Sequence, residues 1–359
     1  MELPYRVLVA ASMVAMTTFA GFAGGLGDAH AKSVSLAAAT QAQSIASDDG
    51  TGPGFGMQRF EVAGTSRKAL LSAGDGVNRS VGNRLSAIAG DDSAGGWLLF
   101  DHSQADLTQA GFSGAETDGN TLLAGFDRQS GAATFGAFAG IGDVDAALPE
   151  IFGRFKADRT ILGLYGRAEI ARAYLAGSLV QESIAVDMTV TPSIGGTIAR
   201  SDRLQQARFE LGLIGPIAPY AAVRFAKHKQ GGFTEGDGFV VLRADADTRD
   251  LAYAEIGVRY SVPLQWTDGS VRVNGHGLYQ RLLSDRDTEF LAGLTAPFGP
   301  FGPFAPERGQ DLRQQLGIAG ISVNYSVAND WIAFVQIEAE FDSRSAFGRS
   351  VGAGLLARF

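Results

Sequence analysis

Along most of this chain apolar and polar side chains take turns, in short segments separated by links that are alternately brief and long. A period of two places successive residues on opposite faces of an extended strand, and it excludes a helix wherever it persists. After Gly95 such segments lie at about 95–102, 119–128, 133–142, 158–168, 171–182, 204–213, 218–228, 249–261, 269–282, 314–325, 331–342 and 349–359. Each approaches the roughly 9–11 residues that a tilted strand needs to cross a bilayer. In 331–341, Trp331, Ala333, Val335, Ile337 and Phe341 share one face, with Gln336, Glu338 and Glu340 on the other. In 204–213, Ala207, Phe209, Leu211 and Leu213 oppose Gln206, Arg208 and Glu210. A soluble sandwich shows the same period with its apolar face turned inward, so alternation alone leaves both architectures open.

The links choose between them. Those near 129–132, 169–170, 214–217, 262–268 and 326–330 are brief, whereas those near 103–118, 143–157, 183–203, 229–248 and 283–313 are long and rich in Gly and Asp. Short turns at one end and long loops at the other describe an outer-membrane barrel, and an even strand count returns the C-terminus to the short-turn side. In the last segment Val351, Ala353, Leu355, Ala357 and the terminal Phe359 share a face. The expected fold is all-β, a twelve-stranded antiparallel transmembrane β-barrel.

The N-terminal region prepares the chain for export. Arg6 precedes an apolar run from Val7 to about Ala23, and Ala29-His30-Ala31 has the small-x-small form of a cleavage site, so residues 1–31 read as a signal peptide. A membrane anchor is the competing reading, against which Thr17, Thr18 and Gly21 interrupt the run. Residues 32–65 are small and polar and read as a flexible leader or residual passenger. Helical spacing of Leu70, Leu71, Val77, Val81, Leu85 and Ile88 predicts a helix over Ser66–Ile88, capped by Ser66. Residues 66–93 then form helix and linker, and 94–359 the barrel. Gly74, Gly76 and Gly82 each weaken the helix by up to about 1 kcal/mol relative to Ala; enclosed in a pore, it would be sheltered. With no cysteine there is no disulfide framework or thiol chemistry, and a net charge of -8 argues against nucleic acid as a partner.

Several ordered motifs carry a resemblance. Gly232-Phe233-Thr234-Glu235-Gly236-Asp237-Gly238, followed by Leu242-Arg243-Ala244-Asp245 and then Ile256-Gly257-Val258-Arg259, is similar to the Phe-Thr-Glu loop and eighth strand of the autotransporter (type V secretion) translocator barrels. Leu164-Tyr165-Gly166 and the terminal Gly354-Leu355-Leu356-Ala357-Arg358-Phe359 resemble the corresponding strands, and the match spans about Ser66 to Phe359. The resemblance implies a twelve-stranded barrel with an N-terminal α-helix in its lumen, a bacterial outer-membrane location, and Phe359 as the assembly signal. It implies outer-membrane lipid, the barrel-assembly machinery and periplasmic chaperones as partners of a monomeric, non-enzymatic, cofactor-free translocator. Only residues 32–65 stand where the family usually carries a long passenger, so an orphan barrel is part of the expectation. A small outer-membrane channel and an outer-membrane hydrolase are the alternatives.

The charged residues supply the candidate site. Arg208, Glu210, Arg224, Glu255, Arg259, Arg272, Glu338 and Glu340 fall on the polar faces and are expected to point into the lumen, because an Arg facing mid-membrane hydrocarbon costs about 2–4 kcal/mol. The sharper expectation is that Arg79 and Arg84 of the helix meet Glu210, Glu255, Glu338 or Glu340 and hold it in the pore. The competing one is a hydrated lumen with ion pairs among the strands. Other chemistry is weakly supported. Gly64-Thr65-Ser66 resembles a protease nucleophile turn without its partners. His228 and His276 point inward and His102 lies near a strand end, with no metal-ligand spacing. The acidic pairs Asp143/Asp145 and Asp245/Asp247 lack the pattern of a calcium loop, and Gly140-Ile141-Gly142 lacks the helix of a dinucleotide site.

Overall fold

The computed structural model describes residues 54–87, 95–108, 112–190, 197–236, 241–266, 269–284, 289–296, 299–300, 305–308, 312–328, 330–342 and 347–358. The expectations for the signal peptide, most of the leader and Phe359 lie outside the described residues.

The first element is a 34-residue helix, α1 (Gly54–Ala87). It begins twelve residues before Ser66. The reason is enclosure: Val62, Ala63, Thr65, Ser66 and Arg67 are buried, so surrounding strands supply packing that propensity does not. Ser66 is therefore no cap. Its hydroxyl donates to the Ala63 carbonyl one turn back, at 2.7 Å, and accepts from Arg200 Nη2 at 2.6 Å. No helix among the described residues is long and apolar enough to cross a membrane.

The strands follow as β1 (Gly95–Leu107), β2 (Ala115–Ser130), β3 (Ala133–Leu148), β4 (Gly153–Ile170), β5 (Ala173–Val190), β6 (Ile198–Leu213), β7 (Ile217–Gln230), β8 (Phe233–Gly236), β9 (Val241–Ala244), β10 (Asp247–Trp266), β11 (Gly269–Leu282), β12 (Glu289–Ala296), β13 (Gly299–Pro300), β14 (Ala305–Arg308), β15 (Gln315–Ala328), β16 (Trp331–Phe341) and β17 (Phe347–Arg358). Twelve of them, β1–β7, β10, β11 and β15–β17, form a closed antiparallel barrel. β1 pairs with β2 on one side and with β17 on the other, in a register from Gly95↔Arg358 to Ala105↔Gly348.

Side chains sort by face as their alternation requires. Val335 and Ile337 are each half exposed on the outer wall, while Gln336, Glu338 and Glu340 are buried inside. Phe209, Leu211 and Leu213 face outward, opposite Arg208 and Glu210. The short-turn ends are tight: Gly131 and Ala171 both take the left-handed φ, +61° and +55°, that a two-residue hairpin turn demands.

Two features depart from the sequence expectation. Strands run further at the long-loop end, β5 to Val190 and β3 to Leu148, because backbone pairing continues past the apolar band, where the pattern reverses: Val144, Leu148, Val186 and Met188 are buried inward while Asp143, Asp145 and Asp187 lie on the outer face. Asp143 and Asp145 consequently lie within β3 rather than on a loop, with Asp145 accepting from Arg154 at 2.9 Å, and His102 sits inside β1 beside Asn120. The second departure is that the links 229–248 and 283–313 are not simply loops. They contain β8, β9, β12, β13 and β14, which pair into a separate five-stranded sheet through β9–β12. Strands of two to eight residues are too short to show a readable period.

The two faces respond oppositely to charge. Ile337→Arg should lower folding stability in lipid vesicles by about 2–4 kcal/mol, whereas Asn274→Arg, on a lumen-facing position of β11, should leave it nearly unchanged; urea titration of refolding into vesicles measures both.

Candidate functional site

α1 runs along the barrel lumen with its N-terminal half toward the long loops. Val62 packs with Leu148, Ile151 and Phe155 at that end, while Val77, Val81 and Leu85 pack with Trp97, Leu99, Leu123, Phe138 and Ile161 lower down. The interior face of β1–β6 is thus locally apolar where the helix leans on it. Close approach needs Gly74, where a Cβ would lie 2.4 Å from Gln206 Nε2 and 2.5 Å from Leu204 Cδ2. The residue that weakens the helix in isolation lets it sit against the wall.

Ion pairs fasten the helix at three levels. At the short-turn end, Arg84 forms a two-pronged bridge to Asp127, with Nη2 and Nε at 2.8 and 3.0 Å from Oδ2 and a third bond to Oδ1. Asp127 is fully buried and also accepts from the Tyr165 hydroxyl at 2.9 Å, which in turn accepts from Trp97 Nε1 at 2.7 Å. The Trp97, Phe138 and Tyr165 rings cluster with centroids 6.1–6.3 Å apart. Beside them, Arg167 donates to the Leu85 carbonyl at 3.4 Å, satisfying an otherwise open acceptor of the last turn.

One turn and more above, Arg79 bridges two carboxylates of β16, Glu338 at 3.1 Å and Glu340 at 2.5 Å. Asn83 donates to Glu338 at 2.9 Å, and Arg313 pairs with Glu340 at 2.6 Å. On the opposite flank Asp75 takes a two-pronged contact from Arg224, whose guanidinium lies 3.9 Å above the Tyr253 ring. Asn78 donates to Gln206 at 2.6 Å and accepts from Ser178. Higher still, Arg67 reaches Asp247 at 2.8 Å.

Among the residues singled out from sequence, Arg79, Arg224, Glu338 and Glu340 are in direct helix–wall contact. Arg84 meets Asp127 instead of any of the four acids expected for it. Glu210 and Glu255 meet strand residues: Arg208 lies 2.6 Å from Glu210 and 2.9 Å from Glu255, and Arg259 also pairs with Glu210. Arg272 faces a lumen cavity. Helix pinning and strand-to-strand pairing, posed as competing readings, coexist. Asp75 and Asp127 are the partners that sequence reasoning missed. Asp75 had no stated role on the helix, and Asp127 lay at the edge of its segment; the alternation that puts Phe126 outward puts Asp127 inward.

The helix is off centre. Opposite its contact wall, at the short-turn end, a cavity of about 500 Å³ remains, lined by Arg259, Arg272, Asn274, Ser322 and Asn324 among others.

Two pairs separate a buried clamp from a surface one. Asp127→Ala strands the Arg84 guanidinium and should cost about 3–5 kcal/mol, while Asp145→Ala, which breaks the exposed contact with Arg154, should cost about 0–1 kcal/mol. Unfolding of the barrel in detergent micelles reads both.

Comparison with known proteins agrees with this architecture. Residues 96–338 match the family model "Autotransporter beta-domain". The fold resembles the translocator domain of the autotransporter NalP from Neisseria meningitidis, with 17% identity, TM-score 0.65, and 81% of this chain and 99% of that chain covered. It also resembles the transport unit of AIDA-I from Escherichia coli, at 10% identity, TM-score 0.54, and 85% and 100% coverage. The β-domain of BrkA from Bordetella matches at 14% identity, TM-score 0.53, and 75% and 100% coverage. No curated protein matches the sequence. A closed twelve-stranded wall, the helix α1 before it and the family match over residues 96–338 together establish that this chain belongs to the autotransporter β-domain family of outer-membrane translocators.

Proposed function

We propose that the barrel delivers its own N-terminal segment across the outer membrane and is then closed by α1, which stays pinned in the lumen as a plug. The observation that carries this reading is the direction of the helix: its C-terminal turn is clamped to Asp127 at the short-turn end, while Glu61 accepts from the Ser113 amide at the long-loop end. The N-terminal half of the helix thereby lies at the side carrying the long loops. In this proposal residues 1–31 are a cleaved signal peptide, residues 32–53 are the exported tail, and Phe359 is read by the assembly machinery and its chaperones. The barrel acts as a monomer without catalysis. Lumen polar groups support that view, since Ser66, Arg200 and Asp202 are engaged with one another rather than presented to a substrate.

A second reading, a solute channel, draws on the cavity beside the helix at the short-turn end. Planar-bilayer conductance separates the two. The intact protein should conduct weakly, deletion of residues 54–87 should open a large pore, and Glu338→Lys with Glu340→Lys should give an intermediate, flickering conductance by repelling Arg79. An intact protein as conductive as the deletion variant would favour the channel.

A further inference from the structure

The outer wall carries an electrostatic conflict that the barrel does not resolve by itself. Arg203 of β6 and Lys229 of β7 are directly opposed cross-strand partners, and both side chains are exposed on the outer face. Like charges in that arrangement destabilise a sheet. Neither has an ion-pair or hydrogen-bond partner among the described residues. Lys227, two residues from Lys229 on the same face, is already held by Asp250 at 3.1 Å. Two uncompensated cations remain side by side.

Their height matters. Arg203 lies ten residues before Leu213, at the short-turn end of β6. At about 3.3 Å per residue and a tilt of about 40°, that is roughly 25 Å along the membrane normal, the height of the apolar band of such barrels. Outward side chains agree, changing from Ala207, Phe209 and Leu211 to Gln205 and Arg203 along β6, and from Val223 and Phe225 to Lys227 and Lys229 along β7. The cation pair sits where the outer-leaflet headgroups begin.

Directly below runs a groove of about 870 Å³, formed because Ala207 and Ala252 are small while Leu162, Leu164, Leu179 and Phe225 flank them. Its upper rim is polar, with Gln181 and Gln205 hydrogen-bonded across β5 and β6. An apolar trough with two free cations at its headgroup end matches one kind of occupant.

We propose that this face of β4–β7 and β10 is a binding site for an outer-leaflet lipid that carries phosphate on its headgroup: acyl chains fill the groove and a phosphate bridges Arg203 and Lys229. The charge fit selects a phosphorylated lipid over a neutral or zwitterionic one, because only net negative charge relieves the Arg203–Lys229 repulsion. The inference rests on the outer-membrane reading but not on the plug.

Native mass spectrometry of the refolded full-length mature chain tests it, with lipid A, chemically dephosphorylated lipid A and phosphatidylethanolamine as competing probes. Lipid A should be retained, and the other two should bind at least about tenfold more weakly. Arg203→Gln with Lys229→Gln should lose the preference, while Arg154→Gln, which removes an exposed cation elsewhere, should keep it. Equal retention of all three probes, an unchanged preference in the double variant, or barrel–barrel adducts in place of lipid would each overturn the site. Bilayer conductance of the double variant, unchanged from the intact protein, keeps this outcome separate from failure of the plugged-translocator reading.

Discussion

The pairing of β1 with β17 is the contact on which the other features depend. Hydrocarbon offers no water to unpaired backbone groups, so a sheet can sit in a bilayer only when its first and last strands close on each other. Eleven residue pairs, from Gly95↔Arg358 to Ala105↔Gly348, make that closure. Once it exists, inside and outside become different solvents. Outward positions must be apolar over the height of the membrane, and inward positions are free to be charged. The alternation along every wall strand records that division.

Closure also creates an interior that must be filled or left wet, and this barrel does some of each. Where α1 leans, Leu123, Phe138 and Ile161 face inward and pack on Val77, Val81 and Leu85. Where it does not, serine, asparagine and arginine line open space. The helix carries five basic and two acidic residues within Gly54–Ala87, and wall carboxylates at Asp127, Asp247, Glu338 and Glu340 answer the bases. Apolar packing keeps it on one wall; ion pairs set its rotation and depth, since charge-assisted bonds tolerate little misplacement.

Much of this was legible in the sequence, for a stated reason. A wall strand alternates because two solvents flank it, so the twelve segments and their order could be read residue by residue, and the inward set of Arg208, Glu210, Arg224, Glu255, Glu338 and Glu340 followed from parity. What could not be read had no periodic cause. The helix extends back to Gly54 because a surrounding wall supplies packing, and Gly74, unfavourable in an isolated helix, fits a tight contact with Leu204 and Gln206. The partner of Arg84 depends on how deep the helix sits, a quantity that no local pattern encodes. The small sheet of β8, β9, β12, β13 and β14 joins segments about 50 residues apart, and its strands are too short to announce themselves.

The chain positions of the helix's partners bear on how firmly it is held. Asp127 comes early, on β2, whereas Glu338 and Glu340 lie 259 and 261 residues beyond Arg79, on the penultimate strand. A wall made only of β1 to β7 can therefore hold the helix at Asp127, Gln206 and Arg224 but leaves Arg79 without its carboxylates. Full seating needs a wall that has come almost all the way round, and a barrel lacking its last strands is left with a less tightly held core.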